Sequence, residues 1–147
     1  MQILSQNFKP ELRTQMMNER TFTWNLPNDA VQKLVSLDKK QRIDFFGNLP
    51  MDNVPIGALM DFSRITIDDK GQVSFYITPQ EFHYNPLGTV HGGLAATILD
   101  SCNSISANCQ LDSGFLTMTT DIRVHYLSPI TVSTGEVTAT APLEKIG

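Results

Sequence analysis

The 147-residue sequence has few cysteines, no long apolar run and no excess of basic residues, and each absence excludes a class of protein. Its two cysteines, Cys102 and Cys109, lie in a segment expected to be helical, where roughly 10 Å would separate them, too far for a disulfide. No apolar stretch approaches the ~20 residues that a membrane span needs. The first residues also lack the basic and apolar regions of a signal peptide. We therefore expect a cytoplasmic protein with reduced thiols and no membrane partner.

The charge balance argues against a nucleic-acid partner. The net charge is −4 and the isoelectric point about 5.2, whereas nucleic-acid-binding proteins usually carry a basic surface. An anionic small molecule remains compatible with this balance, because the N-terminus of a helix can hold a phosphate within an acidic protein. The length and the apolar content of 41% fit one globular domain with a real core.

Residues 1–56 carry helical patterns. Pro10 and the ten residues after it predict a short first helix, with proline at an early position where its missing N–H costs little. Asn28 or Asp29 can cap a second helix that extends to about Phe46.

The second part of the sequence alternates between apolar and polar residues before and after one long helical pattern. Turn residues separate the alternating runs, and proline is absent from the helical pattern. The predicted order is a strand over 58–68, a strand over 73–78, a helix over 89–111 and strands over 118–127 and 130–141.

The long helix has two different faces. Its apolar residues recur at helical spacing and predict a stripe that faces the core. The stripe consists of Leu94, Ile98, Cys102, Ile105 and Cys109. Asp100 projects away from it, along a face of small residues that a second subunit could approach closely.

The chemistry is expected in the segment from Asn85 to Asp100. Gly92 and Gly93 open the helix, and glycine lets a ligand approach the backbone closely. The first N–H groups of a helix are unpaired and carry the positive end of its dipole, so they can form an oxyanion hole. Asp100 could then act as a nucleophile or a general base.

Two motifs in this region resemble the hotdog-fold thioesterases, in particular the phenylacetyl-CoA-type (PaaI-like) branch. Asn85, the run His91-Gly92-Gly93 and Asp100 have the spacing of that branch. Residues 120–129 end in Tyr-Leu-Ser-Pro and resemble the family's next strand and turn.

The resemblance implies an α+β hotdog fold, an antiparallel sheet wrapped around the long central helix. Residues 57–147 would form this thioesterase domain, and residues 1–56 an N-terminal helical extension. The family continues with two further strands, so the last two family strands are expected to be absent from this chain.

The resemblance also implies a mechanism for hydrolysing an acyl-CoA. The Gly92 amide would polarise the thioester carbonyl, and Asp100 of a neighbouring subunit would attack it or activate water. Asn85 would hold the substrate or that water, Thr119 would help to place the water, and His91 would assist near the thioester. The implied assembly is a homodimer with two active sites, often paired again as a dimer of dimers.

Substrate binding is assigned to Gly93 and to Arg123, which could meet the CoA phosphates. Structural alternatives stay open for several of these residues. Asn85 before Pro86 suits a turn, Thr119 suits a strand and Arg123 suits a solvated surface. His91 could equally pack within its turn.

No cofactor and no metal are expected. The three histidines lack the close spacing of metal ligands, and the sequence has no Gly-x-Ser-x-Gly elbow of a serine hydrolase. Five aromatic residues could line an acyl pocket or fill the core: Phe62, Phe75, Tyr76, Phe82 and Tyr84.

Two other functions remain as alternatives to the thioesterase. A hotdog module could bind an acyl-CoA without cleaving it, although Asp100 argues for an enzyme. A hotdog dehydratase would pair a histidine with a carboxylate in a different local pattern.

Overall fold

The computed structural model describes residues 19–25, 27–51 and 54–142. The predicted first helix after Pro10 lies outside this range except for its end, and Glu19 and Arg20 at that end are not helical. Within the described residues, no helix combines the length and the apolar character needed to cross a membrane.

The prediction of one continuous second helix was wrong, because the structure has two helices in its place. Helix α1 covers Ala30–Ser36 and helix α2 covers Lys39–Gly47, with Leu37 extended between them. The side chain of Asp38 accepts from the Gln41 amide at 2.9 Å, and the Gln41 side chain accepts from the Asp38 amide at 2.9 Å. This reciprocal capping box starts a new helix, because it satisfies two amides that have no partner within α2.

A short helix replaces the start of the predicted strand over 58–68. Helix α3 covers Pro55–Met60 and has proline in its first turn, where the ring fits the helix. Asp61 ends α3 in the left-handed conformation at φ 59°. Strand β1 then covers only Phe62–Ile67.

The hairpin predicted from the alternating pattern is present. Strand β2 covers Val73–Ile77 and pairs antiparallel with β1, and Ile65 lies opposite Phe75. The side chain of Asp68 organises the connection by accepting from the amides of Lys70 and Gln72, both at 2.9 Å. Strand β3, Val137–Thr140, pairs antiparallel with β2 on its other side, which gives the order β1-β2-β3.

The described sheet therefore has three strands instead of the four predicted. The predicted strand over 130–141 is shortened to β3, since a 3-10 turn occupies Val132–Thr134. Residues 118–127 do not form a strand in the described part of the chain. They lie beside the long helix instead, and their polar side chains bond to helix residues, as set out below.

The long helix, α4, covers Gly92–Asn108, slightly shorter than predicted. Its apolar stripe lies against the sheet as expected: Leu94, Ile98, Cys102 and Cys109 are 0–6% exposed. The facing side chains of the sheet are Val73, Phe75, Ile77 and Ala139. The Cys102 thiol donates to the carbonyls of Val73 and Ala139 at 3.2 and 3.3 Å, and it joins α4 to β2 and β3.

A buried arginine holds the C-terminal end of α4. The guanidinium of Arg42 on α2 is inaccessible to solvent and donates to the carbonyls of Asn108, Asp112 and Phe115 at 2.7–3.2 Å. Its Nε donates to the Leu37 carbonyl at 3.0 Å. A cation is favourable at the C-terminal end of a helix. Arg42 thereby fixes the point where the chain turns back along α4.

Candidate active site

The N-terminus of α4 is built by a histidine cap. His91 Nδ1 accepts from the Gly93 amide at 2.9 Å, and the His91 amide donates to the His83 carbonyl at 2.8 Å. Because Nδ1 accepts, the neutral ring carries its proton on Nε2. A Cβ at Gly93 would lie 2.9 Å from that Nδ1 atom, so glycine is needed for the cap.

Gly92 presents the free amide of this helix end. Among the described residues, its N–H has no hydrogen-bond acceptor. The Gly93 amide is occupied by the His91 ring, so Gly92 is the stronger candidate for an oxyanion donor. The Tyr126 hydroxyl donates to the Gly92 carbonyl at 3.0 Å, and a Cβ at Gly92 would meet the Tyr126 ring at 3.0 Å. The two motifs that resemble the thioesterases therefore touch each other.

Asp100 lies two turns further along α4 and is half-buried. The structure brings it together with Thr119, whose hydroxyl donates to Asp100 Oδ1 at 2.6 Å. The Ser104 hydroxyl lies 3.0 Å from the Thr119 hydroxyl. Ser104 was not among the predicted site residues. Its position four residues after Asp100, on the same face of the helix, was the available signal.

Asn85 is engaged within its own loop. Its Nδ2 donates to the Thr89 hydroxyl at 2.9 Å, and its Oδ1 accepts from the Leu87 amide at 2.8 Å. The backbone N–H of Asn85 also donates to the Thr89 carbonyl at 2.8 Å. These contacts fit the turn alternative and fix the loop that leads into His91, and direct contact with substrate stays a prediction.

His83 ties the same loop to α3. It is 6% exposed; Nδ1 accepts from the Gln80 amide at 2.9 Å, and Nε2 lies 3.0 Å from the Met60 carbonyl. Burial lowers the pKa of His83 below its usual 6.5. In the described part of the chain, no three His, Cys, Asp or Glu side chains are grouped to hold a metal ion.

Two cavities flank His91. One, of about 500 Å³, reaches Gly93 and has an apolar wall that includes Phe22, Leu59 and Phe82. The other, of about 410 Å³, lies between Gly92 and the residues 126–130 that contain the Tyr-Leu-Ser-Pro motif.

The aromatic residues divide between core and cavity. Phe62 and Phe75 pack edge to face in the core, with ring centroids 5.5 Å apart. Phe82 and Tyr84 line the 500 Å³ cavity. Tyr76 lies outside both groups and packs under Arg64, 3.6 Å from its guanidinium carbon.

Arg123 does not line either cavity. Its side chain is 86% exposed and pairs with Asp121 at 3.2 Å. Contact between Arg123 and a phosphate stays a prediction.

The Gly92 amide and Asp100 of one chain are well separated. They are eight residues apart on one helix, which corresponds to about 12 Å along its axis. One carbonyl carbon cannot contact both groups of a single copy.

Comparison with known proteins identifies the same region. Residues 87–147 match the model of the thioesterase superfamily. Acyl-coenzyme A thioesterase 13 of Mus musculus is 37% identical over 68 residues, 46% of this chain and 47% of that protein. The Homo sapiens protein of the same name is 34% identical over 59 residues, 40% of this chain and 41% of that protein. The match thus spans less than half the length of these relatives.

The fold also has a solved counterpart. A phenylacetic acid degradation-related protein from Ralstonia eutropha JMP134 superposes with a TM-score of 0.56 and 24% identity, over 69% of this chain and 74% of that chain. At this identity the similarity concerns the fold, an antiparallel sheet packed on a long central helix. The predicted resemblance is confirmed: the chain has the hotdog fold, and its residues 87–147 match the model of the thioesterase superfamily.

Proposed function

We propose that this protein hydrolyses an acyl-CoA to a carboxylate and free CoA, at an active site that two copies of the chain share. The observation that carries the proposal is the Gly92 amide at the start of α4, which has no acceptor among the described residues; Gly92 lines one of the two cavities that flank His91. A thioester at this point could place its acyl group in one cavity and its CoA arm in the other.

The Gly92 amide is the proposed oxyanion donor. As water adds to the thioester carbonyl, negative charge develops on the carbonyl oxygen, and the N–H at the positive end of α4 stabilises it. His91, which lines both cavities, could supply a second donor through Nε2–H. The Tyr126 hydroxyl is directed to the Gly92 carbonyl, so it holds the first turn and leaves the amide free.

Asp100 is the proposed base or nucleophile. As a base, it takes a proton from the attacking water, the C–S bond breaks, and the CoA thiolate leaves and is protonated. As a nucleophile, it forms an acyl anhydride that water then hydrolyses. The hydroxyl of Thr119 orients the carboxylate, and Ser104 holds that hydroxyl in place.

The separation of about 12 Å between Gly92 and Asp100 favours a homodimer, in which each site combines Gly92 of one copy with Asp100 of the other. Apolar side chains close to α4 are unusually exposed for a monomer, among them Phe115 at 65%, Met118 at 89% and Leu127 at 92%. Exposed apolar side chains along this helix are ones that a second copy of the chain could cover. A dimer of dimers is compatible with the same surfaces.

The peripheral residues have supporting roles in this proposal. Asn85 shapes the loop that leads into His91, and Gly93 allows the His91 cap. Arg123, which is exposed and pairs with Asp121, would contact the CoA phosphates at the surface.

The test is thiol release, measured with a thiol-reactive dye, from a panel of aromatic and straight-chain acyl-CoAs. The two cysteines of the protein do not interfere, since both are at most 1% exposed and burial raises the pKa of Cys109 to about 11. We expect release above the rate without enzyme for at least one acyl class. Binding without release from any substrate would instead favour the non-catalytic acyl-CoA-binding module.

A further inference from the structure

We propose that residues 19–25, here called the Arg20 segment, determine which acyl groups this protein accepts, because they form the outer wall of an apolar acyl cavity. The inference rests on the proposed function for its acyl-CoA substrate. The segment precedes the residues 87–147 that match the superfamily, so it is a feature of this chain outside that match.

Arg20 anchors the segment to the rest of the fold. Its guanidinium donates to the carbonyls of Ala58 and Leu59 at 2.9 and 2.8 Å, and to the Asp61 carboxylate at 3.2 Å. Its guanidinium carbon also lies 4.1 Å from the centroid of the Phe82 ring. A planar guanidinium suits this combination of bonds and stacking, which lysine could not reproduce. Arg20 therefore links the segment to the end of α3 and to the loop that precedes α4.

The anchored segment brings Phe22 to the cavity of about 500 Å³ beside Gly93. The rest of the apolar wall comes from α3, from the loop and from α4, through Leu59, Phe82 and Leu94. This volume lies within the range of roughly 300–1,000 Å³ that is usual for small-ligand sites. The cavity extends from the end of α4 that binds the thioester carbonyl in the proposed function, so the acyl group is the part of the substrate that would enter it.

Apart from His91, whose Nε2–H is a donor to the thioester in the proposed function, the polar side chains of the wall have partners. Both ring nitrogens of His83 are engaged, and the Thr97 hydroxyl donates to the Gly93 carbonyl at 2.8 Å. The Tyr84 oxygen accepts from the Val132 amide at 2.9 Å. Both terminal nitrogens of the Arg20 guanidinium are engaged by Ala58, Leu59 and Asp61. A charged or hydroxylated acyl group would lose its bonds to water and gain few in return, so the cavity selects apolar acyl groups, aromatic or of medium length.

The segment also contains a fluorescent residue that can report ligand binding. The single tryptophan of the chain, Trp24, stacks on Phe22 with ring centroids 5.6 Å apart and is 57% exposed. An acyl group that contacts Phe22 will change the surroundings of Trp24, and hence its fluorescence, whether or not the thioester is cleaved.

The experiment compares wild type with Arg20→Gln and with Phe22→Ala. The matched control is Arg64→Gln, since Arg64 also pairs with a carboxylate, Glu136 at 2.6 Å, and stacks on a ring, but lies on the sheet away from the cavity. Two quantities are measured: the ratio of kcat/KM for hexadecanoyl-CoA to that for hexanoyl-CoA and phenylacetyl-CoA, and the Trp24 fluorescence on titration with the uncleavable thioethers S-hexyl-CoA and S-hexadecyl-CoA. Melting curves establish that each variant is folded.

We expect wild type to prefer the shorter and aromatic groups, with a Trp24 response to S-hexyl-CoA. Arg20→Gln and Phe22→Ala should shift the kcat/KM ratio toward the long chain by about tenfold, within the range that pocket contacts give, while Arg64→Gln leaves it unchanged. A wild-type enzyme that hydrolyses acyl-CoAs but gives no Trp24 response would overturn the inference. A kcat/KM ratio that equals the wild-type ratio in both folded variants would overturn it as well. A Trp24 response without turnover would support the acyl cavity and count against the proposed hydrolysis alone.

Discussion

The two faces of α4 are held by different forces. On the face toward the sheet, Leu94, Ile98 and Cys102 are at most 6% exposed and pack against the strands. On the other face, Asp100, Ser104 and Asn108 are linked by hydrogen bonds to residues 117–119, which run beside the helix. Apolar burial of this kind contributes on the order of 1.5–3 kcal/mol for each large side chain, whereas one hydrogen bond contributes about 1 kcal/mol net. One face therefore stabilises the fold, and the other is free to carry chemistry.

The most direct test that the two faces of α4 have different roles is Asp100→Asn, which keeps the shape of the side chain and an acceptor for Thr119. Loss of a base or nucleophile typically reduces the rate by about 10²–10⁴-fold, so we expect thiol release to fall by that factor. The midpoint of urea unfolding should change little, because Asp100 lies outside the apolar core. A variant with near-wild-type turnover would remove Asp100 from the mechanism.

The reverse test is Ile98→Ala on the buried face. Removing a buried aliphatic side chain leaves a cavity, so we expect the free energy of unfolding to fall by about 2–5 kcal/mol, measured by urea unfolding. The kcat/KM of the fraction that remains folded should stay close to wild type. A large loss of kcat/KM in fully folded protein would show that the two faces are not independent.

A smaller effect is expected from Thr119, which contacts Asp100 through one hydrogen bond. Thr119→Ala should lower kcat by about tenfold, since that is the rate equivalent of a single hydrogen bond to a charged group. Thr119→Ser keeps the hydroxyl and should recover most of the activity. Equal rates in the two variants would assign Thr119 to packing instead of to orienting Asp100.

The smallest effect concerns pH and belongs to neither face. Burial lowers the pKa of His83 in the folded protein, so the unfolded chain binds a proton more readily. The contribution of His83 to stability is therefore fully present above pH 6.5 and is lost as the pH falls below that value. The melting temperature should decrease in this range, and His83→Gln should flatten the decrease. An unchanged pH profile in that variant would assign the decrease to other groups.

The parts of the fold that strong periodicity governs were predicted well. The apolar stripe of α4 and the hairpin of β1 and β2 follow directly from spacing, because each pattern matches only one kind of element. The break at Leu37 was missed because local capping by Asp38 outweighs a continuous apolar pattern. Residues 118–127 have the composition of a strand, but their polar side chains bond to α4, and composition alone does not specify the partner of a strand.

The candidate site residues that lie within one sequence motif could be proposed from the sequence. Gly92, His91 and Asp100 were proposed from their spacing at the start of α4 and Thr119 from its match to the family, and their roles stay predictions. Arg42 was missed, because its role depends on carbonyls of Asn108, Asp112 and Phe115, more than sixty residues away in the sequence. No local pattern reveals a contact of that kind.

The central claim is that Gly92 of one copy and Asp100 of another act on the same thioester. Gly92→Pro removes the N–H at the first position of α4, where proline is tolerated and where the extended His91 is a suitable preceding residue. Gly92→Ala is its control, since it adds the same contact with Tyr126 but keeps the N–H.

The measurement is thiol release by Gly92→Pro and Asp100→Asn, each alone and then co-expressed. Each variant alone should be slow, whereas random pairing should restore about a quarter of wild-type activity, because half of the dimers are mixed and each of these has one intact site. Gly92→Ala should remain active. Co-expressed variants that stay as slow as either one alone, although both are folded and form mixed dimers, would contradict the shared site.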